Sequence, residues 1–240
     1  SGNAHRIHSV RGFSALSQTE YILSAPYFLD ASGDGIVGFL SGAEFRVGRE
    51  SRERHHEKSA PEHEDKRLLG SSIYFMSKDT GKPVRFVPPS YAIDLKQTNI
   101  PKFRRINPWE NGPEFWWIEY GGLLDTIHQA PEIKWELWGV VYGVWDYIKN
   151  SGCYEHTEGL TLEWVGLIPG KRESRRFMGD YVLTQNDILA ARRFYDAAAV
   201  GGWPIDVHPA EGVYAKENAC SQEHPPGVYT IPYRLSLIHI

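Results

Sequence analysis

Apolar and polar residues alternate loosely over residues 7–15, which predicts a strand. Leu16-Ser17-Gln18-Thr19 reads as a turn, and residues 20–24 as the returning strand. Ala25-Pro26 interrupts the pairing, and Tyr27-Phe28-Leu29 is a short apolar run of the kind that marks a buried strand. After Asp30-Ala31-Ser32-Gly33-Asp34-Gly35, apolar residues recur at helical spacing (Ile36, Val37, Phe39, Leu40, Ala43) and predict a helix over 36–45. The pattern then fades into a densely charged stretch, 46–67, which reads as a solvated helix or loop.

Further along, residues 71–77 and 84–87 predict two strands around the turn Asp79-Thr80-Gly81-Lys82-Pro83. Residues 88–113 are proline-rich and predict a long irregular loop. Phe115-Trp116-Trp117-Ile118-Glu119-Tyr120 predicts a strong strand, closed by Gly121-Gly122, with Trp116 and Trp117 on opposite faces. Pro131 opens a helix over 132–150, with Ile133, Leu137, Val140, Val141, Val144, Trp145 and Ile148 as its apolar stripe and Ser151-Gly152 at its end. A strand over 160–168, a helix over 184–199 stopped by Gly201-Gly202, and an extended segment over 228–234 complete the pattern. No internal repeat or low-complexity tract interrupts it.

Composition narrows the class. Of the 240 residues, 41% are hydrophobic and 23% charged, enough apolar material for a sizeable core and too much for wholesale disorder. Lys and Arg number 26 against 30 Asp and Glu, a net charge of -4, so no broad basic field is available for nucleic acid. No run approaches the roughly 20 apolar residues of a membrane span. Only Cys153 and Cys220 are present, which argues against a disulfide framework, favours a reducing, cytoplasmic compartment, and leaves too few thiolates for an ordinary iron–sulfur cluster. His55, His56 and His63 lie in the charged stretch without a ligand-like spacing, so no metal site is expected.

The chemistry-bearing residues fall in three places. The glycine turn at 30–35 suits close approach of a ligand to the backbone. Arg172, Glu173, Arg175 and Arg176 follow an apolar strand and the turn at Pro169-Gly170; guanidinium groups there suit a carboxylate, phosphate or other polar substrate, or an internal ion-pair cluster. Trp203, Asp206 and His208 follow a double glycine. His208 is the candidate general base or else a structural histidine, with Asp206 either orienting it or capping a turn. Glu119 is either a buried pocket carboxylate or the polar side of a half-exposed strand. Trp117, Glu119, Trp203 and Asp206 are the candidate substrate contacts, and the segments 115–120, 172–176 and 203–209 are expected to converge.

Several stretches occur in the order of a known family: Asp30-Ala31-Ser32-Gly33-Asp34-Gly35, Gly42-Ala43-Glu44-Phe45-Arg46, Phe115-Trp116-Trp117-Ile118-Glu119, residues 169–177, Leu183-Thr184-Gln185-Asn186-Asp187 and residues 201–209. Together they resemble the bacterial FAD-dependent oxidoreductases distantly related to heterodisulfide reductase, over nearly all of residues 7–234. The hairpin before the glycine turn resembles the β-meander of large flavoproteins, and Ala31-Ser32-Gly33-Asp34 their Ala-Thr-Gly-Asp motif with Ser for Thr. The resemblance implies an α/β fold, α+β in the substrate part, cut from a two-domain Rossmann-like flavoprotein that binds FAD.

It further implies that residues 1–50 close the FAD-binding domain, 51–215 form a substrate or cap domain, and 216–234 return to the sheet. Ala31, Ser32, Gly33, Asp34 and Gly35 would contact FAD, while His208, Arg175 and Arg172 would serve catalysis on a small organic substrate that passes a hydride to the flavin. The family's Gly-x-Gly-x-x-Gly start is not in this sequence, nor is its closing glycine-rich segment, and Leu235-Ser236-Leu237-Ile238-His239-Ile240 resembles a translated sequencing adapter. The chain is therefore expected to be an internal piece that is inactive and does not retain FAD on its own. A small-molecule substrate is the expected partner, with neither nucleic acid nor membrane; the oligomeric state stays open. The alternatives are a carbohydrate-binding or glycoside-processing domain, which needs two suitably separated carboxylates, and a non-catalytic cap.

Overall fold

A computed structural model describes residues 6–235. The N-terminal hairpin forms as the alternation predicts: β1 (Ser9–Ser14) pairs antiparallel with β2 (Thr19–Ser24), Ser14 opposite Thr19. Residues 27–29 do not form the expected buried strand. Tyr27 is 90% exposed and Leu29 74%, because no neighbouring strand covers them. The helix expected over 36–45 stops early as α1 (Ile36–Leu40), and its last residues join β3 (Phe45–Arg46) instead. The charged stretch contains one helical turn, α2 (Arg52–His55), and is folded back on itself by an antiparallel bridge between Arg49 and Asp65.

The centre is built from β4 (Ser71–Ser72), β5 (Phe75–Asp79), α3 (Ile100–Phe103), β6 (Glu119–Tyr120), α4 (Ala130–Asn150) and β7 (Leu160–Val165). α4 matches its predicted stripe: Ile133, Leu137, Val140, Val141, Val144, Trp145 and Ile148 are all buried. They pack with Ile73, Phe75, Leu95, Ile100, Phe115, Trp117, Ile118, Leu160 and Val213 into one core. Residues 84–87 form no strand. The strand expected at 115–120 is replaced by a tight 3-10 turn at Gly112–Phe115, with only Glu119 and Tyr120 paired, to Ser72 and Ser71. Phe115 and Trp117 share the core, ring centroids 5.7 Å apart, as alternation foresees; that Ile118 and Glu119 are buried directly after Trp117 is what period-two reasoning does not foresee.

The C-terminal third has short elements: β8 (Arg176–Phe177), α5 (Gln185–Leu189), β9 (Ala197–Gly201), β10 (Ile205–Val207), β11 (Ser221–Glu223) and β12 (Tyr229–Pro232). The helix expected over 184–199 lasts five residues. Thr184 and Asp187 start it with a reciprocal capping box, but residues 197–201 leave it to pair with β12. The chain thus mixes helix and strand, as expected. Its described sheets are all two-stranded and antiparallel (β1–β2, β3–β8, β4–β6, β5–β7, β9–β12, β10–β11), so the Rossmann-like reading has no parallel sheet to rest on among the described residues. No helix of the described residues is long and apolar enough to cross a membrane. Of the adapter-like hexapeptide, residues 236–240 lie outside the described residues.

Candidate functional site

Of the cavities that adjoin the run 170–176, two hold most of the candidate residues. The first, about 560 Å³, is lined by Asp30, Gly33, Gly35 and Gly38 on one side and by Arg175, Phe177 and Tyr181 on the other. Its glycine turn is held from within. The Asp30 carboxylate accepts from the Ser32 amide at 3.0 Å, the Ser32 hydroxyl at 2.6 Å and the Gly38 amide at 2.9 Å, and the Ser32 hydroxyl accepts from the Ile36 amide at 3.0 Å. Although burial pushes the Asp30 carboxyl up, these donors outweigh it and leave it below its ordinary value. Gly33 has φ 80°, which an L side chain rarely adopts, and a Cβ there would meet no protein atom within 4 Å. The turn therefore presents bare backbone to the cavity, and the Gly33 and Gly35 amides have no protein acceptor among the described residues. Those features fit one end of a cofactor such as FAD.

Arg175 belongs to this side. Its guanidinium lies 4.0 Å from the Phe39 ring centroid and donates to the Asp34 carbonyl at 2.9 Å. The expectation that it works beside His208 is corrected accordingly: Arg175 lines the first cavity and Lys171 and Arg172 the second, while Arg176, paired in β8, also lines a smaller cavity that reaches His208. Lys171 connects the two, its ammonium 2.6 Å from the Asp34 carboxylate.

The second cavity, about 800 Å³, is lined by Trp116, Trp164, Trp203, Arg172, Asp206 and His208 among others. Here the three segments do converge. β4–β6 pairing sets Glu119 opposite Ser72, whose hydroxyl donates to Glu119 Oε1 at 3.3 Å. Glu119 is 3% exposed, so it is a buried carboxylate and not the polar side of a half-exposed strand. Arg172 Nη1 donates to the same oxygen, while His208 Nδ1 lies 2.7 Å from Glu119 Oε2 and Nε2 3.0 Å from Asp206 Oδ2. Trp116 covers the imidazole edge-on, centroids 5.4 Å apart.

These contacts set the protonation. Hydrogen bonding to Glu119 raises the His208 pKa above its ordinary value, burial opposes that, and Asp206 adds to it. Burial pushes the Asp206 carboxyl up, but the His208 ring, Gln222 and Cys220 outweigh it and the net shift is down. With both ring nitrogens engaged, His208 as placed has no free lone pair for a substrate proton, which counts against the general-base assignment. Glu119 and Asp206 both bind this one imidazole, so the pair of independent carboxylates the glycoside alternative requires is not formed by them.

Trp117 is corrected too: it is a core residue, and the neighbouring Trp116 lines the cavity. Trp203, 70% exposed, stands at the rim. Sequence reasoning missed Lys171, Trp164 and Cys220 as lining residues, and also Arg104, buried within electrostatic reach of Glu119 and donating to the carbonyls of Gly212 and Glu217, both at 2.7 Å. Burial draws its guanidinium below the ordinary value, with Glu119 opposing. The register of β10 with β11, Asp206 opposite Gln222, was the signal that could have drawn in Cys220; neither strand is long enough to be read from alternation.

Comparison with known proteins agrees with the resemblance at the family level. A family model described as FAD dependent oxidoreductase matches residues 1–239, so the chain belongs to that family. No curated protein and no solved structure matches it.

Proposed function

We propose that this FAD-dependent oxidoreductase chain takes a small polar organic substrate in the 800 Å³ cavity and meets the flavin at the 30–35 turn. The observation that carries the reading is the run 170–176, which lines both cavities at once: Arg172 on the substrate side and Arg175 on the cofactor side, close together in sequence. In this reading residues 1–50 contribute the cofactor side and 51–215 most of the substrate side. When bound, the flavin supplies the redox chemistry by accepting a hydride.

The chain's own residues then have separate tasks. Trp116 and Trp203 offer apolar faces to the substrate, and Arg172, braced by Glu119, offers a guanidinium to its acidic or carbonyl oxygen. His208, held between Glu119 and Asp206, orients the polar end of the site. Arg175 and the amides of Gly33 and Gly35 face the cofactor. Kinship to the heterodisulfide reductase-like subfamily and a Rossmann-like parent are part of the same reading, on the strength of the motif order, and a cytoplasmic setting on the small number of cysteines.

Titration of the full chain with FAD, followed by flavin fluorescence, tests it. Weak, saturable binding is expected, falling at least about tenfold, or ~1.4 kcal/mol, in Gly33→Ala, whose methyl would occupy the bare side of the turn. Saturable binding that Gly33→Ala leaves unchanged would contradict the cofactor placement.

A further inference from the structure

Two residues to which the flavin reading gives only an orienting task, Asp206 and His208, meet Cys220 in the substrate cavity. β10 and β11 pair with Asp206 opposite Gln222 and Val207 opposite Ser221, and one step further along that register sets His208 across from Cys220. Residues two apart on a strand share a face, so Asp206 and His208 point the same way, and both line the 800 Å³ cavity together with Cys220. One ligand atom from each of Asp206, His208 and Cys220 lies within 4.8 Å of the others. Tetrahedral ligands bound at about 2.0–2.3 Å stand about 3.3–3.8 Å apart, so small side-chain rotations would close the set on one ion.

Two further observations point to a ligand. Asp206 Oδ1 is buried with no hydrogen bond of good geometry among the described residues, Gln222 and Cys220 standing near the carboxyl without closing one, a state that is costly unless something else satisfies it. Glu119 stands on His208 Nδ1 at 2.7 Å, the carboxylate–histidine arrangement that fixes the ring and presents Nε2 to a metal. We propose that Asp206, His208 and Cys220 form a zinc-type site, with a fourth position open to the cavity. A thiolate, an imidazole and a carboxylate together suit a borderline divalent cation better than calcium or magnesium. On binding, the ion replaces the thiol proton of Cys220 and any proton on Nε2, and both leave to solvent. The open position takes water or a substrate oxygen, polarising it beside Arg172. The site shares the cavity that the flavin reading gives to substrate, but none of its ligands lines the glycine-turn cavity, so metal binding is measurable whatever the place of the flavin.

Cobalt(II) is the probe, added to the full reduced chain after removal of metals with a chelator. A single equivalent is expected to bind, with a thiolate-to-cobalt charge-transfer band and visible absorption of tetrahedral intensity, both displaced by zinc. Cys153→Ser should keep the band and Cys220→Ser lose it. Glu119→Gln should weaken binding about 10–100-fold. Should Cys220→Ser fold poorly, alkylating Cys220 in the Cys153→Ser chain must remove the band as well, and bound cobalt must protect that thiol. No saturable binding, or a band that survives loss of Cys220, would overturn the assignment. Flavin binding is measured separately in the presence of chelator, so its failure and this one are distinguishable.

Discussion

The surroundings of α4 and the β1–β2 hairpin are both regular structure foreseen from patterning, yet they hold their shape by different means. Nine residues of α4 are buried, and its stripe meets side chains drawn from β5, the 88–118 loops, β7 and the segment around Val213. The hairpin has no buried residue in either strand, and Phe13, Ile22 and Leu23 are all more than half exposed. Its register follows from a short local turn, whereas the helix is fixed by contacts from distant parts of the chain. Pairing is thus a local property that a sequence displays; burial is a property of what lies across from a segment.

The largest effect that sharpens this contrast is Leu137→Ala, which opens a cavity in the packed core. A loss of about 2–5 kcal/mol in urea unfolding is expected, against no more than ~0.5 kcal/mol for Leu16→Ala at the 98% exposed hairpin tip. Equal losses would break the comparison. Gly143→Ala comes next. In an exposed helix it would stabilise by about 1 kcal/mol through propensity. Here a Cβ would be driven into the Ile93 carbonyl oxygen, so a net loss of about 1–3 kcal/mol is expected, read by the same unfolding curves. A gain would mean that the loop carrying Ile93 is not packed on α4.

The same distinction explains how much was legible. α4 was visible because seven apolar residues keep one phase along the helix, and the hairpin because its turn is local. Tyr27 to Leu29 misled because an apolar run indicates burial only where a partner element covers it, and none does among the described residues. The 184–199 helix failed because β12 captures residues 197–201 and pairing outweighs helical propensity. At the site, the convergence of Arg172, Glu119, Asp206 and His208 was foreseen, but not the partners. Arg172 and His208 share one buried carboxylate that β4–β6 pairing, 47 residues apart in sequence, fixes against Ser72; contacts of that range leave no local trace. Trp116 and Trp117 do face opposite ways, but alternation alone does not say which of the two meets the core, and it is Trp117.

The placement of the cofactor at the glycine turn is the claim on which the functional account depends, and photolabelling tests it most directly. An azido-flavin derivative of FAD, irradiated with the full chain and mapped by peptide mass spectrometry, should mark residues 30–38 and 175–183, the two walls of the 560 Å³ cavity. Excess unmodified FAD should suppress that label. Suppressible label on residues 203–222 instead, or on the β1–β2 hairpin, would contradict the placement and move the flavin out of the turn.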